Sequence, residues 1–259
     1  GINRLSIGIQ SLDDDILMYL GRIHNSKEAV KAYDLARNAG FENINTDLMF
    51  AIPGQSMSIL DKTLTEVIDM EPEHISCYSL QIEEGTPFYK TVKPIPEDED
   101  RNMYHRMIDT LALSGHAQYE VSNFAKAGYE CRHNLKYWSM EEYKGAGLGA
   151  SSFLDGKRIV NTRDMKEYLS GSIVKEVHNN TFEDNASEFM FTGLRKTSGI
   201  TYDGFREYLN ADFFDVYEGI DDKIKKWVSL GLMEADQQGI RFTTKGMDIE
   251  NSILTEFIL

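Results

Sequence analysis

Between residues 131 and 138 the sequence runs Cys-Arg-His-Asn-Leu-Lys-Tyr-Trp. The imidazole of His133 is the kind of side chain that most often holds a haem iron. Beside it, Arg132 and Lys136 supply cations for the propionates of a porphyrin, and Tyr137 and Trp138 supply flat rings that pack against its face. Asn134 adds an amide. A plainer arrangement uses the same residues: a turn in which His133 and Asn134 hydrogen-bond nearby backbone while Tyr137 and Trp138 fill a gap between domains. No helical or strand period organises the stretch, so the residues alone leave both readings open.

A second set of candidates lies earlier. Gln10 closes NRLSIGIQ, Arg22 stands in YLGRIHN, Asp47 sits beside Leu48, Met49 and Phe50, and Gln81 nears the end of HISCYSLQI. A carboxylate among apolar residues requires donors, because an unpaired buried charge is costly. The four read either as a grip on a zwitterionic or ribose-bearing cofactor, or as strand-end polar residues and a loop arginine. The run GAGLGASS (145–152) lacks the GxGxxG spacing and the following lysine of a phosphate loop, and reads as close packing. His105, His116 and His178 read as surface or satisfied imidazoles. Cys77 and Cys131 form no CxxC or CxxxCxxC pattern, cannot make a four-thiolate metal site by themselves, and are expected as thiols.

The elements that must position these residues alternate. Strand-like runs at 3–10, 43–52 and 74–82 are separated by helical stretches. The first connection holds a short helix from Asp13 to Leu20 and a longer one with Ser26 as N-cap and Gly40 as stop. The second holds SILDKTLTEVIDM, capped by Ser58 and closed before Pro72. Such an order builds a parallel sheet with helices outside it. If the sheet curves into a partial barrel, ligands gather at the C-terminal strand ends, where Gln10, Asp47 and Gln81 fall. A helix from about 98 to 113 and a strand, AQYEVSNFA, lead to the opening motif. From about residue 182 the order is helix, helix, helix, two short strands, helix. The expected fold class is α/β, the C-terminal part of a partial (β/α) barrel followed by a small winged-helix-like α+β domain. The expected domains are 1–180 and 181–259.

Composition narrows the functions. The 259 residues are 41% hydrophobic and 27% charged, enough to bury a core. The net charge is -15, and residues 181–259 carry eight Lys or Arg against fifteen Asp or Glu. Counterion release therefore cannot drive duplex binding by the winged-helix-like segment, and no nucleic-acid partner is expected. No apolar run reaches the roughly 18–20 residues of a membrane span, and the first residues lack a signal-peptide pattern. A cytoplasmic protein is expected, not an integral membrane one. The sequence has no initiating Met and opens on a strand already under way, so a fragment of a longer polypeptide is expected.

Six ordered motifs carry a resemblance: NRLSIGIQS, LGRIHN, NINTDLMFAIPGQ, HISCYSLQIEEGTPF, YEVSNFAKAGYECRHNLKYW and GAGLGASS. Together they resemble the coproporphyrinogen-oxidase-related branch of the radical S-adenosylmethionine (SAM) superfamily, and within it the HemW-type haem chaperones. The resemblance implies a partial radical SAM barrel with SAM across its strand ends. Gln10, Arg22 and Asp47 match residues placed around SAM, and Gln81 matches more loosely. His133 matches the histidine of an HNxxYW motif associated with haem, which makes it the implied axial ligand, with Arg132, Asn134, Tyr137 and Trp138 around the haem. The implied cofactors are SAM, a [4Fe–4S] cluster and haem, and the implied function is delivery of haem to a client protein. The alternative is an oxygen-independent coproporphyrinogen III oxidase, which would make the intact protein an oxidoreductase. One departure matters: the family's cluster-binding CxxxCxxC loop is not in this sequence and is expected before residue 1. This chain alone is expected to perform no radical chemistry. A homo-dimer through the open edge of the parallel sheet is a further expectation.

Overall fold

The computed structural model describes residues 1–259, which form two compact units, Gly1–Glu130 and Cys131–Leu259. The first unit runs β1 (Leu5–Gln10), α1 (Asp14–Tyr19), α2 (Ser26–Asn38), β2 (Ile44–Phe50), α3 (Met57–Asp69), β3 (His74–Ser79), α4 (Pro87–Thr91), α5 (Glu97–Leu113), β4 (Ala117–Glu120) and β5 (Asn123–Ala125). Its sheet has the order β1-β2-β3-β5-β4. The first three strands are parallel, and β5 and β4 add an antiparallel hairpin.

Helix starts follow side-chain chemistry. Asn25, not Ser26, caps α2, and its side chain exchanges hydrogen bonds with Glu28 in a capping box. Ser56, not Ser58, caps α3 by accepting from the Ile59 amide. In each case the acceptor must stand one residue before the first helical turn. The expected single strand AQYEVSNFA folds back on itself instead, with Val121 and Ser122 at the turn between β4 and β5. A short helix, α4, begins at Pro87; proline's fixed φ suits the first helical position.

The sheet is two-faced, because successive side chains of a strand point to opposite sides. Ile9, Leu48, Phe50, Ile75, Cys77 and Phe124 pack beneath Leu64 and Val67 of α3 and Met107 and Leu111 of α5. The other face carries Ser6, Gly8 and Gln10 of β1, Asn45 and Asp47 of β2, and His74 and Ser76 of β3. Register aligns these rows: Ser6 opposes Asn45, Gly8 opposes Asp47, Asn45 opposes His74 and Asp47 opposes Ser76.

The second unit runs α6 (Arg132–Trp138), β6 (Ser151–Leu154), β7 (Lys157–Asn161), α7 (Met165–Leu169), β8 (Val174–Asn179), α8 (Phe182–Gly193), β9 (Ile200–Thr201), α9 (Tyr202–Leu209), α10 (Phe213–Val216), α11 (Ile220–Ser229), β10 (Met233–Ala235), β11 (Gly239–Phe242), α12 (Thr244–Met247) and α13 (Glu250–Leu254), closing in a 3-10 turn at Thr255–Phe257. Strands β6, β7 and β8 form an antiparallel sheet. After it, helices α8 to α11, a small sheet of order β10-β11-β9 and helices α12 and α13 make the winged-helix-like arrangement. In its core Phe205, Phe213, Tyr217, Trp227 and Phe257 pack with aliphatic side chains and methionines such as Met190 and Leu194. No helix is long and apolar enough to cross a membrane.

Candidate functional site

In the first unit the polar face gathers chemistry at the ends of the parallel strands. Gln10 ends β1 with φ 65°, a left-handed conformation that costs a residue with a side chain roughly 1–2 kcal/mol. The register slips between Gly8 and Gln10. Gln10 turns its amide back over Gly8: a Cβ added to Gly8 would lie 2.8 Å from Gln10 Nε2 and 3.7 Å from Arg22 Nη2. Gly8 is therefore the floor under an amide and a guanidinium, with Asp47 opposite it in register. Asp47 is fixed from both sides, since Ser6 Oγ donates to Oδ2 at 2.8 Å and Asn45 Nδ2 donates to Oδ1 at 2.8 Å. Neither Asp47 nor Arg22 makes an ion pair. Three of the four expected residues are thus brought together. Gln81 is not: it lies exposed two residues beyond β3 and makes no hydrogen bond to the other three.

A buried network that the motifs did not single out supports this face. His74 is fully buried. Its Nδ1 lies 2.6 Å from Asn45 Oδ1, and its Nε2 lies 2.8 Å from the Tyr119 hydroxyl. With Asn45 Oδ1 as acceptor, Nδ1 carries the proton and Nε2 accepts from Tyr119. Ser76 Oγ donates to the same Asn45 oxygen at 3.1 Å. Burial first, then the charges of Arg4 and His116, pulls the His74 pKa down to about 3, so the ring is neutral. Period two puts Asn45 and Asp47 on one face of β2 and His74 and Ser76 on one face of β3, but it does not show that the two rows meet.

The arrangement offers donors and acceptors for a zwitterionic, ribose-bearing ligand. An unpaired guanidinium suits its carboxylate, and an unpaired carboxylate and an amide suit its ammonium and ribose hydroxyls. A [4Fe–4S] cluster is a different matter. Cys77 is buried on the helix side, where burial and then the Asp47 charge push its thiol up. Cys131 lies in the other unit and precedes α6. No three His, Cys, Asp or Glu side chains converge on a point that would hold a metal ion. This chain supplies no ligand set for the cluster.

In the second unit the stretch 132–138, in which no helical period was read, is a helix, α6. Its His133 and Tyr137 are four residues apart and share one side. The rings meet edge to face at 4.9 Å, and Tyr137 Oη lies 2.9 Å from His133 Nε2. Tyr137 in turn packs edge-on against Tyr143 at 4.5 Å. Arg158 Nη1 donates to the Tyr143 hydroxyl at 3.1 Å and pairs with Glu188 at 2.6 Å. His133 and Arg132 are exposed and Asn134 is half-buried. Lys136, read as a partner for propionates, is instead paired with Glu141 at 2.6 Å. Trp138 points elsewhere: it lines a cavity of about 470 Å³ with Phe189, Lys196 and Tyr208.

The remaining candidates resolve simply. In GAGLGASS the Gly145 amide donates to Ser152 Oγ at 2.9 Å, and the Gly149 amide donates to the Thr162 carbonyl. A Cβ on Gly145 would collide with the Ser151 carbonyl, so the loop is a close-packed one. His116 is satisfied by Ser114 and the Pro72 carbonyl, and His178 by Asp184.

Residues 1–67 match the radical SAM superfamily, and residues 181–249 match the HemN C-terminal domain. The chain is similar to the heme chaperone HemW of Bacillus subtilis, at 35% identity over 100% of this chain and 70% of that protein. Against the heme chaperone HemW of Lactococcus lactis the identity is 33%, over 100% of this chain and 69% of that protein. In the solved structures it resembles the Escherichia coli coproporphyrinogen III oxidase HemN, described as a radical SAM enzyme, with a TM-score of 0.83 at 20% identity. That likeness covers 100% of this chain and 64% of HemN, and at such identity it shows a shared fold.

Proposed function

As a member of the HemW family within the radical SAM superfamily, this chain is, we propose, the greater part of a haem-binding chaperone. In this reading His133 takes the haem iron, with Arg132, Asn134 and Tyr137 around it, and Gln10, Arg22 and Asp47 hold SAM. Gln81 acts there only if its loop moves. The superfamily in general uses SAM with a [4Fe–4S] cluster, and the cluster's ligands come from outside these residues. Haem is the cargo, passed on to a haem-requiring client in the cytoplasm. Residues 181–259 form a separate domain, of which 181–249 match the HemN C-terminal domain.

The observation that carries the reading is His133, an exposed imidazole on α6 whose Nε2 meets only a neighbouring phenol. A nitrogen so placed is free to exchange that hydrogen bond for iron. The test is a haem titration of the intact protein and of His133→Ala. The expected result is loss of the Soret shift and an affinity at least about tenfold weaker. An unchanged spectrum and affinity would remove His133 as ligand. The alternative, oxidative decarboxylation of coproporphyrinogen III, has the fold shared with HemN as its support. Anaerobic turnover of coproporphyrinogen III by the intact, cluster-loaded protein would favour it.

A further inference from the structure

The cavity beside α6 is lined by two residues, Trp138 and Lys196, whose donors the protein leaves underused. Trp138 Nε1 is buried without any partner, although buried indole N–H groups ordinarily find an acceptor. Lys196 Nζ donates to Ser139 Oγ at 3.3 Å and forms no ion pair. Burial lowers its pKa, as it does for an ammonium without a counter-charge. Both residues line the same space of about 470 Å³, a size typical of small-ligand sites. The lining is mixed: the rings of Phe189 and Tyr208 pack at 5.6 Å and Ile200 adds apolar surface, while Ser139, Ser198 and Thr201 add hydroxyls. Glu207 also lines the cavity. A single ammonium suits a single negative group, and the neighbouring, exposed Glu207 carboxylate disfavours a polyanion.

We propose that this cavity binds one carboxylate carried on a flat, apolar body, its oxygens held by Lys196 Nζ and its body lying against Trp138, Phe189 and Tyr208. The site uses none of the atoms of His133, so it stands or falls independently of iron ligation there. Two sources supply such a group: a propionate of a tetrapyrrole, or a small aromatic acid.

The chain has two tryptophans, so a ¹⁵N-labelled full chain shows two indole N–H signals, assigned with Trp138→Phe. Titration with 2-naphthoate is expected to move the Trp138 signal saturably and leave that of Trp227 in place, while neutral 2-naphthamide moves neither. Lys196→Met is expected to weaken naphthoate binding by about tenfold or more, and Lys196→Arg to keep it within about threefold. If Lys196→Met fails to fold, the comparison of acid with amide in the native chain decides. No saturable shift, an equal response to the amide, or full binding by a folded Lys196→Met overturns the site. Competition then sorts the source. Displacement of naphthoate by mesoporphyrin IX but not by its dimethyl ester assigns a tetrapyrrole carboxylate, and displacement by neither assigns small aromatic acids. Displacement by both shows apolar binding without carboxylate recognition and overturns the proposal.

Discussion

Tyr137 Oη lies 2.9 Å from the nitrogen of His133 that faces away from the helix backbone, and its ring is held in place by Tyr143. On the proposed haem reading, iron and phenol compete for that nitrogen. A hydrogen bond of this kind contributes a net of about 0.5–1.5 kcal/mol, or about a two- to tenfold change in affinity. Tyr137→Phe keeps the ring and removes the competitor. It is expected to tighten haem binding by that factor in a Soret titration, and an equal or weaker affinity would show that the hydroxyl does not compete. The neighbouring Trp138 has a different part to play. One residue further along a helix is about 100° around it, enough to turn Trp138 from the imidazole towards the Lys196 cavity. A motif that reads as one haem surround is therefore two surfaces on one short helix.

Among the elements, the β10-β11-β9 sheet of the second unit depends on a glycine. Gly199, at φ 68°, lies where an added Cβ would run into the Ile240 carbonyl and Arg241 of β11. Gly199→Ala combines a left-handed backbone with a backbone collision, and is expected to cost about 2–4 kcal/mol. Urea unfolding followed by the fluorescence of Trp227, buried in the adjacent core, measures the cost, and a loss below about 0.5 kcal/mol would show that β9 can shift. The longer elements were legible before any coordinates, because α2, α3 and α5 carry apolar faces and β1 to β3 are bounded by turn residues. Element α6 was not, since seven residues including His, Asn, Tyr and Trp offer no period long enough to read. The β4–β5 hairpin escaped because Val121-Ser122 carries none of the glycine or asparagine chemistry of tight turns. In the site, Gln10, Arg22 and Asp47 were readable as candidates. The His74 network was not, because its partners Asn45 and Tyr119 are distant in sequence and meet only through register.

At the scale of the molecule, the two units differ in what they bury. The first encloses two histidines, His74 and His116, while both tryptophans, Trp138 and Trp227, lie in the second. The His74 pKa is about 3 against an ordinary 6.5, and burial lowers that of His116 as well. The unfolded chain thus binds protons below pH 6.5 that the folded unit refuses. Stability present above that pH is lost as pH falls towards 3, at up to about 1.4 kcal/mol per pH unit for each such histidine. Urea unfolding at pH 7 and pH 5 is expected to show an earlier transition by far-UV circular dichroism at the lower pH, with tryptophan fluorescence less affected. His74→Gln is expected to remove much of the difference, and an undiminished one would clear His74 as its source. The two-faced sheet has another consequence, for folding fidelity. A slip of β2 by one residue against its neighbours would exchange its faces, sending Asn45 and Asp47 under the helices and Leu48 and Phe50 onto the polar side. Such a misalignment strands a carboxylate in hydrocarbon and exposes core at the same time. The residues that prepare a ligand surface thereby also proofread the pairing of the strands that carry them.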